Sequence, residues 1–93
     1  MQVQHRDDNH KGAFYIEIDG EELAAMEYSR AGDNMLIISH TEVSDALRGQ
    51  GAGMKMLLTL ADYARGNNIK VIPLCPFAKS VFDKREDLRD VLK

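Results

Sequence analysis

Apolar and polar residues alternate along Phe14-Tyr15-Ile16-Glu17-Ile18, the two-residue period of a half-buried strand. Asp19-Gly20 follows, and glycine accepts the positive φ that a tight hairpin turn requires. The chain is therefore expected to return along Glu22 to Ser29, with Leu23, Ala25 and Glu27 on one side and Ala24, Met26 and Tyr28 on the other. A second turn, Ala31-Gly32-Asp33-Asn34, leads into the longest predicted strand, Met35 to Val43. Residues 1–12 have no apolar period and read as a loosely held lead-in, able at most to pair as an edge segment. His5 and His10 lie in that polar stretch and are not read as ligands.

Beyond the third predicted strand the period changes. Ser44 to Gly53 is a loop with glycines at 49, 51 and 53. Met54, Leu57, Leu58 and Ala61 then recur at helical spacing, and Met56, Leu60 and Tyr63 widen the stripe into a face suited to packing on a sheet. Gly66-Asn67-Asn68 supplies a stop. Ile69 to Leu74 reads as a short buried strand, with Pro73 near its end where no ladder donor is needed. Pro76 suits the first position of a helix carrying Phe77, Val81 and Phe82. The charged tail, Lys84 to Lys93, keeps one apolar face in Leu88, Val91 and Leu92 and reads as a final helix. The expected class is α/β (α+β): a mostly antiparallel, twisted sheet, a glycine loop and helix after the third strand, and helices packed on the sheet.

Composition acts mainly by exclusion. Ninety-three residues, 44% hydrophobic and 29% charged, suit one globular domain spanning 1–93. The formal charge of -3 and the lack of a basic patch argue against a nucleic-acid partner. No apolar run approaches the ~18 residues that span a bilayer, so no membrane partner is expected. The start, Met1 to Asp8, lacks the apolar stretch of a signal peptide, and a cytoplasmic location is expected. Cys75 is the single cysteine, which excludes an intramolecular disulfide and a multi-cysteine zinc site; no metal is expected.

The glycine loop carries the chemistry. A strand feeding a glycine-rich turn and then a helix presents backbone N–H groups at a helix N-terminus, a setting for a pyrophosphate. Arg48 adds a cation. A P-loop would need Lys-Ser or Lys-Thr after Gly53, where the chain has Met54-Lys55, and a dinucleotide fingerprint would need glycine at Met54. A plain flexible connection is the bland alternative, and three alternating glycines exceed what a turn requires.

Arg48-x-x-Gly51-x-Gly53 resembles the Arg/Gln-x-x-Gly-x-Gly/Ala element of the GNAT acetyltransferase superfamily. With His40-Thr41-Glu42-Val43 before the loop and Pro73-Leu74-Cys75-Pro76-Phe77 after the next strand, residues 14–84 resemble its minimal single-domain N-acetyltransferases. The resemblance implies acetyl-coenzyme A as co-substrate, held between two splayed strands. It implies main-chain bonds from Glu42 and Val43 to the pantetheine arm, and amides of Gly49, Gln50, Gly51, Ala52 and Gly53 around the pyrophosphate. Phe77, Lys79 and Ser80 would lie near the thioester. Ser44 stands where such proteins often have proline, a departure expected to loosen the loop entrance.

Cys75 sits before Pro76 at an expected helix start, where the dipole favours thiol reactivity; the resemblance places it near the acetyl group. Its bland reading is a buried structural cysteine. His40, expected on one strand face with Leu36, Ile38 and Glu42, is a candidate base for an amine or for Cys75, or else a core histidine. Glu42 is a further candidate base, more commonly a solvated strand-end carboxylate. The function expected is acetyl transfer to a primary amine, on a small molecule or a protein, directly or through Cys75. A non-catalytic CoA-binding module and a protein-interaction domain, the latter docking through an exposed C-terminal helix, are the alternatives. A monomer or weak homodimer is expected.

Overall fold

The computed structural model describes residues 1–93. Strands β1 (Gln4–Asp7), β2 (Lys11–Ile18), β3 (Glu21–Arg30), β4 (Met35–Val43) and β5 (Lys70–Pro73) form one sheet in sequence order. The first four are antiparallel neighbours, and β5 lies parallel to β4. Helix α1 (Ala52–Gly66) crosses from β4 to β5, α2 (Pro76–Lys84) follows β5, and short 3₁₀ helices occupy Asp45–Leu47 and Glu86–Val91. A parallel pair needs such a crossover, and that is what α1 provides.

The expected meander is present, with Asp19 (φ 54°) and Gly20 (φ 81°) both left-handed in the two-residue turn that pairs Ile18 with Glu21. Two expectations are corrected. Residues 4–7 do pair as an edge strand, which the sequence allowed, and this makes the glycine loop follow the fourth strand rather than the third. The tail forms a 3₁₀ helix rather than an exposed α-helix. Its Leu88 and Val91 are buried in the core, and Lys93 N–H donates to Val71 O at 2.9 Å, so the apolar face is already covered within the chain.

The core lies on one side of the sheet. Phe14 and Ile16 of β2, Ala24, Met26 and Tyr28 of β3, and Leu36 and Ile38 of β4 meet Met56, Leu57, Leu60, Ala61 and Ala64 of α1. The buried stripe of α1 is turned from the expected one: Met54 and Leu58 are only partly buried, and Ala64 is fully enclosed. Asn67 caps α1, Asn68 takes the left-handed conformation (φ 55°), and Ile69 N–H closes the end on Ala64 O at 2.8 Å. Pro76 occupies the start of α2.

A polar network ties β1 to this core. Tyr28 Oη donates to Asp7 Oδ2 at 2.5 Å, and Arg30 Nε donates to the same oxygen at 2.8 Å. Arg30 Nη2 also donates to Tyr63 Oη on α1 at 2.7 Å. Because the single phenolic proton of Tyr28 goes to Asp7, His5 Nε2 is the donor in its 2.6 Å contact with Tyr28 Oη. The imidazole stacks on Phe14 at 4.0 Å between centroids. A Cβ on Gly12 would collide with Arg6 O and the Tyr28 phenol, so β2 needs glycine where it passes between β1 and Tyr28.

Burial on Phe14 lowers the pKa of His5 below 6.5; Asp7 opposes this and Arg30 adds to it. A base with a lowered folded-state pKa leaves stability intact above its unfolded pKa and removes it as pH falls toward the folded value. The melting temperature is therefore expected to decline once pH drops below about 6.5. His5→Phe is expected to flatten that part of the profile in thermal melts followed by circular dichroism. An unchanged slope would remove His5 as its source.

Candidate active site

Strands β4 and β5 stay paired only from Met35↔Lys70 to Ile38↔Pro73. There Ile38 O accepts both Leu74 N–H (3.0 Å) and Cys75 N–H (3.1 Å), and the chain leaves the sheet into α2. Proline at 73 has no N–H to extend the ladder. β4 continues to Val43 bonded only to β3, so its other edge over residues 39–43 faces an open wedge. The wedge widens into a cleft of about 390 Å³ lined by Thr41, Val43, Leu47, Met54, Phe77 and the glycine loop.

The loop is shaped by its glycines. Gly49 (φ 81°) and Gly51 (φ 73°) are left-handed, and Gly51 is the N-cap of α1. Gly53 serves differently: a Cβ there would stand 2.8 Å from Phe77 Cζ, so glycine lets the α2 ring close over the start of α1. The first helical bond is Lys55 N–H to Gly51 O at 3.0 Å, and the amides of Gly49, Gly51, Ala52, Gly53 and Met54 have no acceptor in the chain. Several unspent donors beside a helix N-terminus form an anion cradle. Arg48 lies at its rim, 81% exposed and paired with Asp45 at 2.5 Å. At the entrance, Ser44 Oγ accepts from Ala46 N–H at 3.3 Å and caps the 3₁₀ turn.

The expected residues divide. Val43, Arg48, Gly49, Gly51, Ala52, Gly53 and Phe77 line the cleft. The reading of Gln50 is corrected: its amide donates to Leu47 O at 3.2 Å and is not free for a pyrophosphate, and its side chain turns to Ala46 O. Lys79 and Ser80 lie exposed on α2, where they bond Asp83 and Phe77 O. Thr41, Leu47 and Met54 were not singled out beforehand, although Thr41 sits inside the quoted His40–Val43 segment.

A β-bulge explains that omission. Tyr28 pairs with Ile38 but Glu27 pairs with His40, so Ser39 is an extra residue in β4. Beyond it the faces exchange. Thr41 opposite Met26 joins the helix-covered side with Ile38, while His40 and Glu42 turn to the uncovered side opposite Glu27 and Ala25. His40, 58% exposed, meets Glu42 at 3.5 Å. The expectation that His40 shares a face with Leu36 and Ile38 is thus corrected, and Cys75 has other neighbours. Its Sγ lies 3.2 Å from Thr41 Oγ1 and accepts from Ala78 N–H at 3.5 Å as the cap of α2, with the residue 5% exposed.

Splayed parallel strands with a donor-rich glycine loop at their mouth define a two-layer α/β domain whose cleft opens beside an anion cradle. The family model for GCN5-related N-acetyltransferases matches residues 13–91, and the chain belongs to that family of acyl-transfer enzymes. A GCN5-like protein from Staphylococcus aureus, solved by NMR, is 37% identical. The match covers 97% of this chain and 87% of that one, with a TM-score of 0.74. Two more distant structures share the fold. The ribosomal-protein-alanine N-acetyltransferase of Brucella melitensis is 17% identical over 83% of this chain and 62% of its own, with a TM-score of 0.66. AAC(6')-Iy, solved with the bisubstrate analogue CoA-S-monomethyl-acetylneamine, is 11% identical over 86% of this chain and 61% of its own, with a TM-score of 0.56. No curated protein sequence matches the chain significantly.

Proposed function

We propose that this chain binds acetyl-CoA in the cleft between β4 and β5 and transfers the acetyl group to a primary amine, with Cys75 as the intermediate carrier. The carrying observation is the alignment of two unsatisfied donor sets: the free edge of β4 over residues 39–43, and the loop amides ending at Met54. The first suits the amides of a pantetheine arm, and the second suits a pyrophosphate. A protein of the same fold was solved with a CoA-based bisubstrate analogue, which is consistent with a CoA ligand.

Bound acetyl-CoA supplies an activated acyl thioester. Arg48 exchanges Asp45 for phosphate, and Phe77 covers the arm over Gly53. Cys75 stands where the strands begin to part, held by the two amide bonds to Ile38 O.

Intact-protein mass spectrometry after incubation with acetyl-CoA tests this reading. A native CoA adduct and an acetyl mark that survives denaturation are expected, the mark absent in Cys75→Ala. An adduct without the mark would leave the cofactor site and favour direct transfer. No adduct at millimolar acetyl-CoA would overturn the assignment of the loop.

A further inference from the structure

Cys75 has little contact with solvent. The residue is 5% exposed, and its sulfur is bounded by β4 on one side and the first turn of α2 on the other. The two polar groups in reach are the Ala78 amide, which is a donor only, and the Thr41 hydroxyl, which both donates and accepts. The bulge at Ser39 has moved His40 to the opposite face, where its partner is Glu42. No carboxylate or imidazole therefore contacts the thiol. Thr41, 3.2 Å from the sulfur, also lines the cleft, so it adjoins both the thiol and the space proposed for the thioester.

We propose that Thr41 is the proton relay between Cys75 and the departing CoA sulfur, a role that rests on reading the cleft as an acetyl-CoA site. In the first half-reaction a bond forms from Cys75 Sγ to the acetyl carbonyl carbon, and the bond from that carbon to the CoA sulfur breaks. The Cys75 S–H proton passes to Thr41 Oγ1 as the Thr41 hydroxyl proton passes to the CoA sulfur. Thiol and thioester are exchanged for thioester and thiol, so the step balances without an external base. The amine acceptor then takes the acetyl group from Cys75, and the proton it releases restores the thiol through the same hydroxyl. In this scheme the bulge has a chemical purpose: a regular β4 would direct His40 to the thiol's side and Thr41 away from it.

The test compares wild type with Thr41→Val and Thr41→Ser, following acetyl-CoA binding by native mass spectrometry and the Cys75 acetyl mark by its rate of appearance. Thr41→Val keeps the shape and loses the hydroxyl. At saturating acetyl-CoA, with occupancy checked by native mass spectrometry, it is expected to acquire the mark on the order of 10²-fold more slowly, the usual scale of a lost proton-transfer group. Thr41→Ser is expected to recover most of that rate, and wild-type marking is expected to slow in D₂O. Marking of Thr41→Val at the wild-type rate would overturn the relay, as would equal losses in the valine and serine variants. Should Thr41→Val fail to fold, the serine variant and the D₂O comparison decide: a slow serine variant or no D₂O effect would also overturn it. Wild-type protein that binds acetyl-CoA but never carries the mark would remove the relay and leave the cofactor site standing. Wild-type protein that does not bind would remove both.

Discussion

Replacing Gly49 and Gly51 together by alanine is expected to weaken CoA binding by at least two orders of magnitude. Each position takes a positive φ, 81° and 73°, at which an L side chain costs about 1–2 kcal/mol. A built Cβ meets nothing within 4 Å at either position, so steric filling is not the issue. The substituted loop is expected to relax toward negative φ, and that rotates the amides of Gly49, Gly51 and Ala52 away from a common focus. A hydrogen bond to a charged partner is worth about 1.5–3 kcal/mol, so losing two of them accounts for at least a hundredfold. Isothermal titration with CoA measures the change. Thermal melts of the free variant separate it from unfolding, since the strain alone predicts only a moderate loss of stability. Unaltered affinity would mean that the loop amides do not hold the ligand.

Asp7→Ala is expected to be the most destabilising single change outside the apolar core. Asp7 and Arg30 are only 16% and 17% exposed at the side chain, and the carboxylate receives Tyr28, Arg30 and the Asn9 amide together. Burial pushes the Asp7 pKa up, but those hydrogen bonds outweigh it and hold the carboxyl below its ordinary range. The same arrangement, burial first and then the Asp7 hydrogen bond, raises the Tyr28 pKa well above its usual value. Alanine leaves the Arg30 guanidinium facing only Tyr63 and leaves the Tyr28 hydroxyl without its acceptor. Exposed pairs contribute up to about 1 kcal/mol and fully buried ones lose about 3–5 kcal/mol on truncation. This partly buried pair falls between, at about 2–3 kcal/mol. In a domain of this size that lowers Tm by roughly 10–20 °C. Asp7→Asn retains an acceptor for Tyr28 and is expected to lose less. A Tm within a few degrees of wild type for Asp7→Ala would show that the network adds little to holding β1.

Local patterns carried much of the architecture. Alternation along 14–18 and 22–29 and the Asp19-Gly20 turn locate the hairpin, because both follow from side-chain period and φ sign over a few residues. The donor loop was equally readable, since left-handed φ at 49 and 51 and the close approach of Phe77 at 53 each demand glycine. Cys75 before Pro76 marked the start of α2 for the same kind of reason.

Partners distant in the chain decided the rest. β1 has no apolar period; it is held by β2 and by a network reaching Tyr28, Arg30 and Tyr63. The tail showed its apolar positions but not that they would close the core beside Val71. The bulge at Ser39 is a mismatch of register between β3 and β4, and neither strand shows it alone. By reversing the faces beyond Ser39, it placed Thr41, and not His40, against Cys75. Fold class and donor loop were legible in the chain because they depend on backbone preferences of neighbouring residues, and the lone thiol was legible from composition. Which side chain meets the thiol was left to the tertiary structure, because a single inserted residue inverts every later position in a strand.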